Sequence, residues 1–132
     1  AMAWQAGGDH VIVCLDARMH EVYYAAYCRA QAGLEAVLGP CVCKPAEVPM
    51  PDGDRWLAGG SGFAAYPEVL TGRLRARIQG IVPDLWPHAR AIAELALPRF
   101  AAGTARAADL AEPFYVRDKV ALTTRERREA GR

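Results

Sequence analysis

The chain has 132 residues, 52% hydrophobic and 23% charged, and 16 basic against 15 acidic side chains leave a formal net charge of +1. That length suits one domain or one lobe of a larger protein, and the composition is that of a chain with a core rather than a disordered one. A charge so near zero gives no footprint for a large nucleic-acid or membrane surface, and no apolar run approaches the ~18 residues of a membrane span.

In chain order, Ala1 to Ala6 reads as the last turn of a helix that Gly7-Gly8 ends. Residues 1–9 are therefore expected to close an inter-lobe helix from an N-terminal lobe outside this sequence. Val11 to Leu15 is apolar without alternation, the pattern of a strand covered on both faces. Val22 to Cys28 resumes the run with three tyrosines and a valine, which favour a pleated, packed surface. The polar break between them predicts an antiparallel hairpin closed by a type I turn of about four residues.

Leu34 to Val42 reads as a third strand. Pro40 cannot donate to a ladder, so this strand is expected at a sheet edge or with a bulge. Residues 44–54 hold Pro45, Pro49, Pro51 and Gly53 and form a loop. Arg55 to Ala58 is a short strand running into Gly59-Gly60-Ser61-Gly62. Phe63, Tyr66 and Leu70 recur at helical spacing, but Pro67 splits the stretch into two short helices. Ile78 to Val82 is the last strand. Pro87 suits the first position of a helix, whose face Ile92, Leu95, Ala96 and Phe100 is expected to pack in the core; Pro98 should kink it and Gly103 end it.

Three antiparallel strands followed by strand–helix–strand–helix, with right-handed crossovers, give an α/β fold with a mixed five-stranded sheet of order 3-2-1-4-5 and helices on its faces. That is the ribonuclease H-like lobe of the actin-like ATPase superfamily, here spanning residues 10–121. Within it Asp109 to Ala121 is a second apolar cluster expected to pack across the domain. Residues 122–132 form a polar tail, helix-prone or disordered. From Arg117 to Arg132 there are six basic and three acidic residues, which suits a solvated tail or a phosphate contact.

Candidate chemistry is sparse. Cys14 and Cys28 lie in apolar strands as small hydrophobes, and Cys41-Val42-Cys43 lacks zinc-ligand spacing, so the reading is a reduced, cytoplasmic protein without a metal site. The Gly59-Gly60-Ser61 turn between a strand and a helix is a candidate degenerate nucleotide contact, the alternative being a tight turn with Ser61 capping the helix. The same turn misses a G-x-S-x-G nucleophile elbow, because position 63 is Phe; Asp84 and His88 follow in the order of a hydrolase triad but only four residues apart. Asp16, at the carboxyl end of the central strand, is a candidate for metal-phosphate chemistry or for holding the turn through Arg18.

Two segments carry a family resemblance. Leu15 to Tyr27, LDARMHEVYYAAY, resembles the D-A-R-x-x-E-V-Y segment of the TsaB (YeaZ) family, and Ala111 to Arg117, AEPFYVR, resembles its C-terminal A-E-P-x-Y-[LV]-R motif. The resemblance covers nearly the whole chain but only the family's C-terminal half. It implies that Asp16, Arg18, Glu21, Tyr23, Glu112, Pro113, Tyr115 and Arg117 are motif residues with structural or partner roles. It implies a non-catalytic scaffold for the TsaD transferase in N6-threonylcarbamoyladenosine modification of tRNA. The implied partners are TsaD and TsaE, with tRNA engaged indirectly, no membrane contact, and homodimerisation left open. No cofactor is expected on this piece alone; ATP and magnesium belong to the partner complex. The competing readings are an ATP-binding lobe of a related kinase or transferase and an M22-type glycoprotease.

Overall fold

The structure, a computed structural model, describes residues 1–31 and 33–117. Among them, β1 (His10–Asp16), β2 (Val22–Ala30), β3 (Gly33–Cys43), β4 (Trp56–Gly59) and β5 (Ile78–Val82) form one sheet of order β3-β2-β1-β4-β5. β2 runs antiparallel to both β1 and β3, while β4 is parallel to β1 and to β5. Central β1 is covered on both sides, as its unbroken apolar run requires: the consecutive residues Val11 and Ile12, which point to opposite faces, are both fully buried. The α1 helix (Met2–Ala6) packs its buried Met2 and Ala3 on one face and ends at Gly7, whose φ of 73° closes it in the left-handed region.

The other face carries the main core. Ile12, Cys14, Val22, Tyr24, Ala26, Trp56 and Ala58 from the sheet meet Val48, Phe63, Leu70 and Leu74. Phe63 comes from α2 (Ser61–Ala65), and Leu70 and Leu74 come from α3 (Pro67–Leu74). Pro67 separates these two helices and occupies the first turn of the second, where its missing N–H is no loss. Pro40 lies in edge strand β3, whose register with β2 slips between Tyr24 and Tyr27. The strand therefore has both features the proline called for, an edge position and an irregular ladder.

Three expectations are corrected. The β1–β2 turn is not type I. Asp16 pairs with Val22, and within residues 17–21 Arg18, Met19 and His20 follow one another at φ 61°, 54° and 61°. This is a single left-handed turn without a glycine, costing roughly 1–2 kcal/mol per residue. Ala17 N–H donates to Glu21 O at 3.0 Å and Glu21 N–H to Arg18 O at 3.0 Å, closing the turn internally.

The last helix, α4, spans Ala89–Ala101, so Pro87 stands ahead of it and His88 is its N-cap. Gly103, at φ 66°, follows its end. Its Ile92, Leu95, Ala96, Phe100 face is not core: Ala91 is the buried residue, while Ile92 and Phe100 are 58% and 68% exposed. The helix docks through Ala91 and through Glu94, whose carboxylate accepts from Trp4 Nε1 at 2.8 Å, and this turns the stripe outward. Ile92 and Leu95 line the wall of a groove of about 600 Å3 shared with Met2, Val13, Tyr27 and Leu34.

Nor do the large apolar side chains of the second cluster pack across the domain over its described part: Leu110, Phe114 and Tyr115 are 61%, 79% and 76% exposed. The polar tail at 122–132, with the end of that cluster at 118–121, lies outside the described residues.

Two outcomes follow for stability. Trp56 is 2% exposed and donates from Nε1 to Asp52 O at 3.1 Å, so Trp56→Ala should cost about 3–5 kcal/mol in urea unfolding. Burial pushes the Cys14 thiol up to about 12 and the Cys43 thiol up to about 11, with neighbouring thiols adding to both. The folded state thus holds these protons more tightly than the unfolded chain. Stability should be intact below about pH 9 and fall as pH rises through 11 and 12, and Cys14→Ala should flatten that decline in pH-dependent melts.

Candidate functional site

The carboxyl end of β1 gathers the sequence-predicted residues at one corner. Parallel pairing of β1 with β4 places the 59–62 turn beside Cys14 and Asp16. The glycines there have a packing reason. Gly60 has φ 110°, and a Cβ on it would overlap the Cys14 carbonyl oxygen. A Cβ on Gly62 would stand 2.6 Å from Cys14 Sγ, and one on Gly59 would stand 2.6 Å from Leu85 Cδ2. The turn therefore lies directly on the central strand, with backbone against backbone.

Ser61 does not cap its helix. Gly60 is the N-cap, without a side-chain cap bond, and Ser61 Oγ instead accepts the Asp16 amide at 3.1 Å. Among the described residues no hydrogen bond joins Ser61 to Asp84 or His88, and no group of three or more His, Cys, Asp or Glu side chains is placed to hold a metal ion.

Asp16 holds the turn. Its Oδ1 accepts the Arg18 amide at 2.9 Å, and its Oδ2 lies 3.2 Å from Arg18 Nη1. Arg18 is otherwise bathed in solvent, so the ion pair itself is worth little, while the bond from the Asp16 carboxylate to the Arg18 backbone helps fix the left-handed conformation. Glu21 and Tyr23 face a second arginine from far along the chain. Arg117 Nη2 donates to Glu21 Oε2 at 2.7 Å and to Ala17 O at 3.0 Å, and its guanidinium carbon lies 5.7 Å from the centroid of the Tyr23 ring. The two motif segments thus meet in space through this one contact.

Glu112, Pro113 and Tyr115 do not join it; they lie exposed along the extended stretch that leads to Arg117. Reading the sequence also missed three participants: the Cys14 carbonyl, the Ala17 carbonyl and Met19, whose sulfur lies 3.5 Å from Arg117 Nη1. Main-chain acceptors leave no trace in residue identity. No residue type between Asp16 and Glu21 marks the turn as left-handed either.

This corner and this sheet define a ribonuclease H-like lobe of the actin-like class, with its strand ends packed closed by a glycine turn. No protein-family model matches the chain. It is 32% identical over 126 residues to the tRNA threonylcarbamoyladenosine biosynthesis protein TsaB of Escherichia coli K12, a match covering 90% of this chain and 53% of that protein. Among solved structures, it superposes on a Pseudomonas aeruginosa protein described as similar to peptidase YeaZ with a TM-score of 0.74 at 30% identity, covering 88% of this chain and 55% of the other. It superposes on YeaZ from Pseudomonas aeruginosa with a TM-score of 0.70 at 30% identity, covering 85% and 51%. The similarity is thus to proteins of the TsaB (YeaZ) family, and the chain spans about half the length of these relatives.

The close approach at the glycine turn gives a paired test. Gly60→Ala should destabilise the fold by about 2 kcal/mol or more, because both its φ and its neighbour forbid a Cβ. Gly72→Ala, in α3 with nothing within 4 Å of the added atom, should instead stabilise it by up to about 1 kcal/mol. Denaturant midpoints of the two variants, measured side by side, check both signs.

Proposed function

We propose that this chain is the lobe of a non-catalytic scaffold subunit that supports a TsaD-type transferase in forming N6-threonylcarbamoyladenosine on tRNA. The observation that carries this reading is how the polar groups at the strand ends are used. Asp16 is engaged by Arg18, Ser61 by the Asp16 amide, and Glu21 by Arg117, while the glycines lie against Cys14 and Leu85. A nucleotide-handling edge needs free amides and an unpaired acid aimed at phosphate; here those groups serve the fold. The work of such a lobe is positioning: a rigid body presents partner-binding elements to TsaD and to TsaE, tRNA is met through the complex, and ATP and magnesium act on the partners. The Gly59-Gly60-Ser61 turn then acts as a packing device rather than a nucleotide site, and the expected compartment is the cytoplasm.

Reconstitution tests this. The whole family protein carrying Asp16→Asn should support threonylcarbamoyl transfer to tRNA by TsaD within about twofold of the wild type, the range expected of a substitution away from the chemistry. Alone, the wild-type protein should show no stoichiometric magnesium-ATP binding by calorimetry. Tight ATP binding by the single subunit, abolished by Asp16→Asn, would establish the kinase-like reading instead.

A further inference from the structure

Beyond that role, the contact between Glu21 and Arg117 has the form of a receptor with an exchangeable occupant. Every residue from Ala101 to Tyr115 is exposed. Among the described residues, the hydrogen bonds made from 105 to 116 run only within that stretch, around the short turn at Ala108–Leu110. Among the described residues, the strap is tied to the body at its far end by Arg117, whose side chain is 12% exposed. The hollow that receives it belongs wholly to the β1–β2 hairpin: the Glu21 carboxylate, the Ala17 carbonyl, the Met19 sulfur and the Tyr23 ring.

Charge, planarity and a stacking face together select a guanidinium over an ammonium. The resident occupant is an imperfect fit, because its buried Nε has no acceptor among the described residues. Asp16 already faces Arg18, so removing Arg117 leaves Glu21 as the uncompensated charge of the hollow.

We propose that the hollow formed by Glu21, the Ala17 carbonyl and the Tyr23 ring is a guanidinium receptor, that Arg117 occupies it as a releasable clasp, and that an arginine of a docking protein takes its place when the strap swings away. Exchange at this point couples partner binding to the β1–β2 turn, since the same guanidinium bridges both ends of that turn.

Nuclear magnetic resonance on the chain tests each part. In the wild type, relaxation dispersion should report one shared opening rate for residues 104–117 and 17–23. Arg117→Ala should lower the heteronuclear NOE along 104–116 and speed amide exchange at Ala17 and Glu21 about tenfold, the loss of a charged hydrogen bond. Millimolar ethylguanidinium should restore that protection in Arg117→Ala but not in the Glu21→Gln/Arg117→Ala double variant. If Arg117→Ala does not fold, Glu21→Gln in the wild-type background carries the same dispersion and exchange readouts. A strap without exchange in the wild type, unchanged exchange at Ala17 and Glu21, or equal rescue by ethylammonium would each overturn the proposal.

Discussion

The carbonyl oxygen of Cys14 lies directly beneath Gly60, and that contact sets the spacing of the whole lobe. Because Gly60 and Gly62 can rest on the central strand without a Cβ, β4 hands over to α2 within two residues of its parallel pairing with β1. Phe63 then drops onto the sheet, and Leu70 and Leu74 follow from the next helix. The Ser61 hydroxyl takes up the Asp16 amide at the same step, so the end of β1 is fixed by the element that packs on it. A larger residue at Gly60 or Gly62 would lift the helix pair from the sheet and open the core cluster from one side.

The second constraint runs the other way, from the end of the described chain to its beginning. Three successive left-handed residues are unfavourable unless something holds them, and here a carboxylate on one side and a guanidinium on the other do so. This explains why both motif segments are needed for one local shape although Glu21 and Arg117 are 96 residues apart in the chain. The polar side chains at this corner thus hold the shape of the turn.

Much of the fold was legible in the residues. The unbroken run from Val11 to Leu15 announced a strand buried on both faces, Pro40 announced an irregular edge, and Pro67 announced two short helices. The crossover rule then ordered the sheet. What was hidden depends on relations that residue identity does not encode. Arg18, Met19 and His20 carry no glycine signature, so their left-handed turn was invisible without the distant arginine. The α4 stripe has helical periodicity, but periodicity does not say which way a face turns; the bond from Trp4 to Glu94 and the burial of Ala91 decided that. The Leu110 to Tyr115 cluster is apolar in composition yet ties down through a charged residue. At the candidate site the glycine turn was placed correctly, while the reason for its glycines, a strand carbonyl, could be seen only in three dimensions.

The slipped register of β3 around Pro40 has a consequence for life in a crowded solution. An outer strand with regularly spaced free amides can recruit the same strand of a neighbouring molecule and grow without limit. Here the ring nitrogen has no proton to offer, and the ladder breaks step between Tyr24 and Tyr27, so a would-be template presents its donors out of phase. The margin of the sheet thus acts as a terminus for stacking, which keeps a lobe rich in valine, tyrosine and cysteine from seeding fibres.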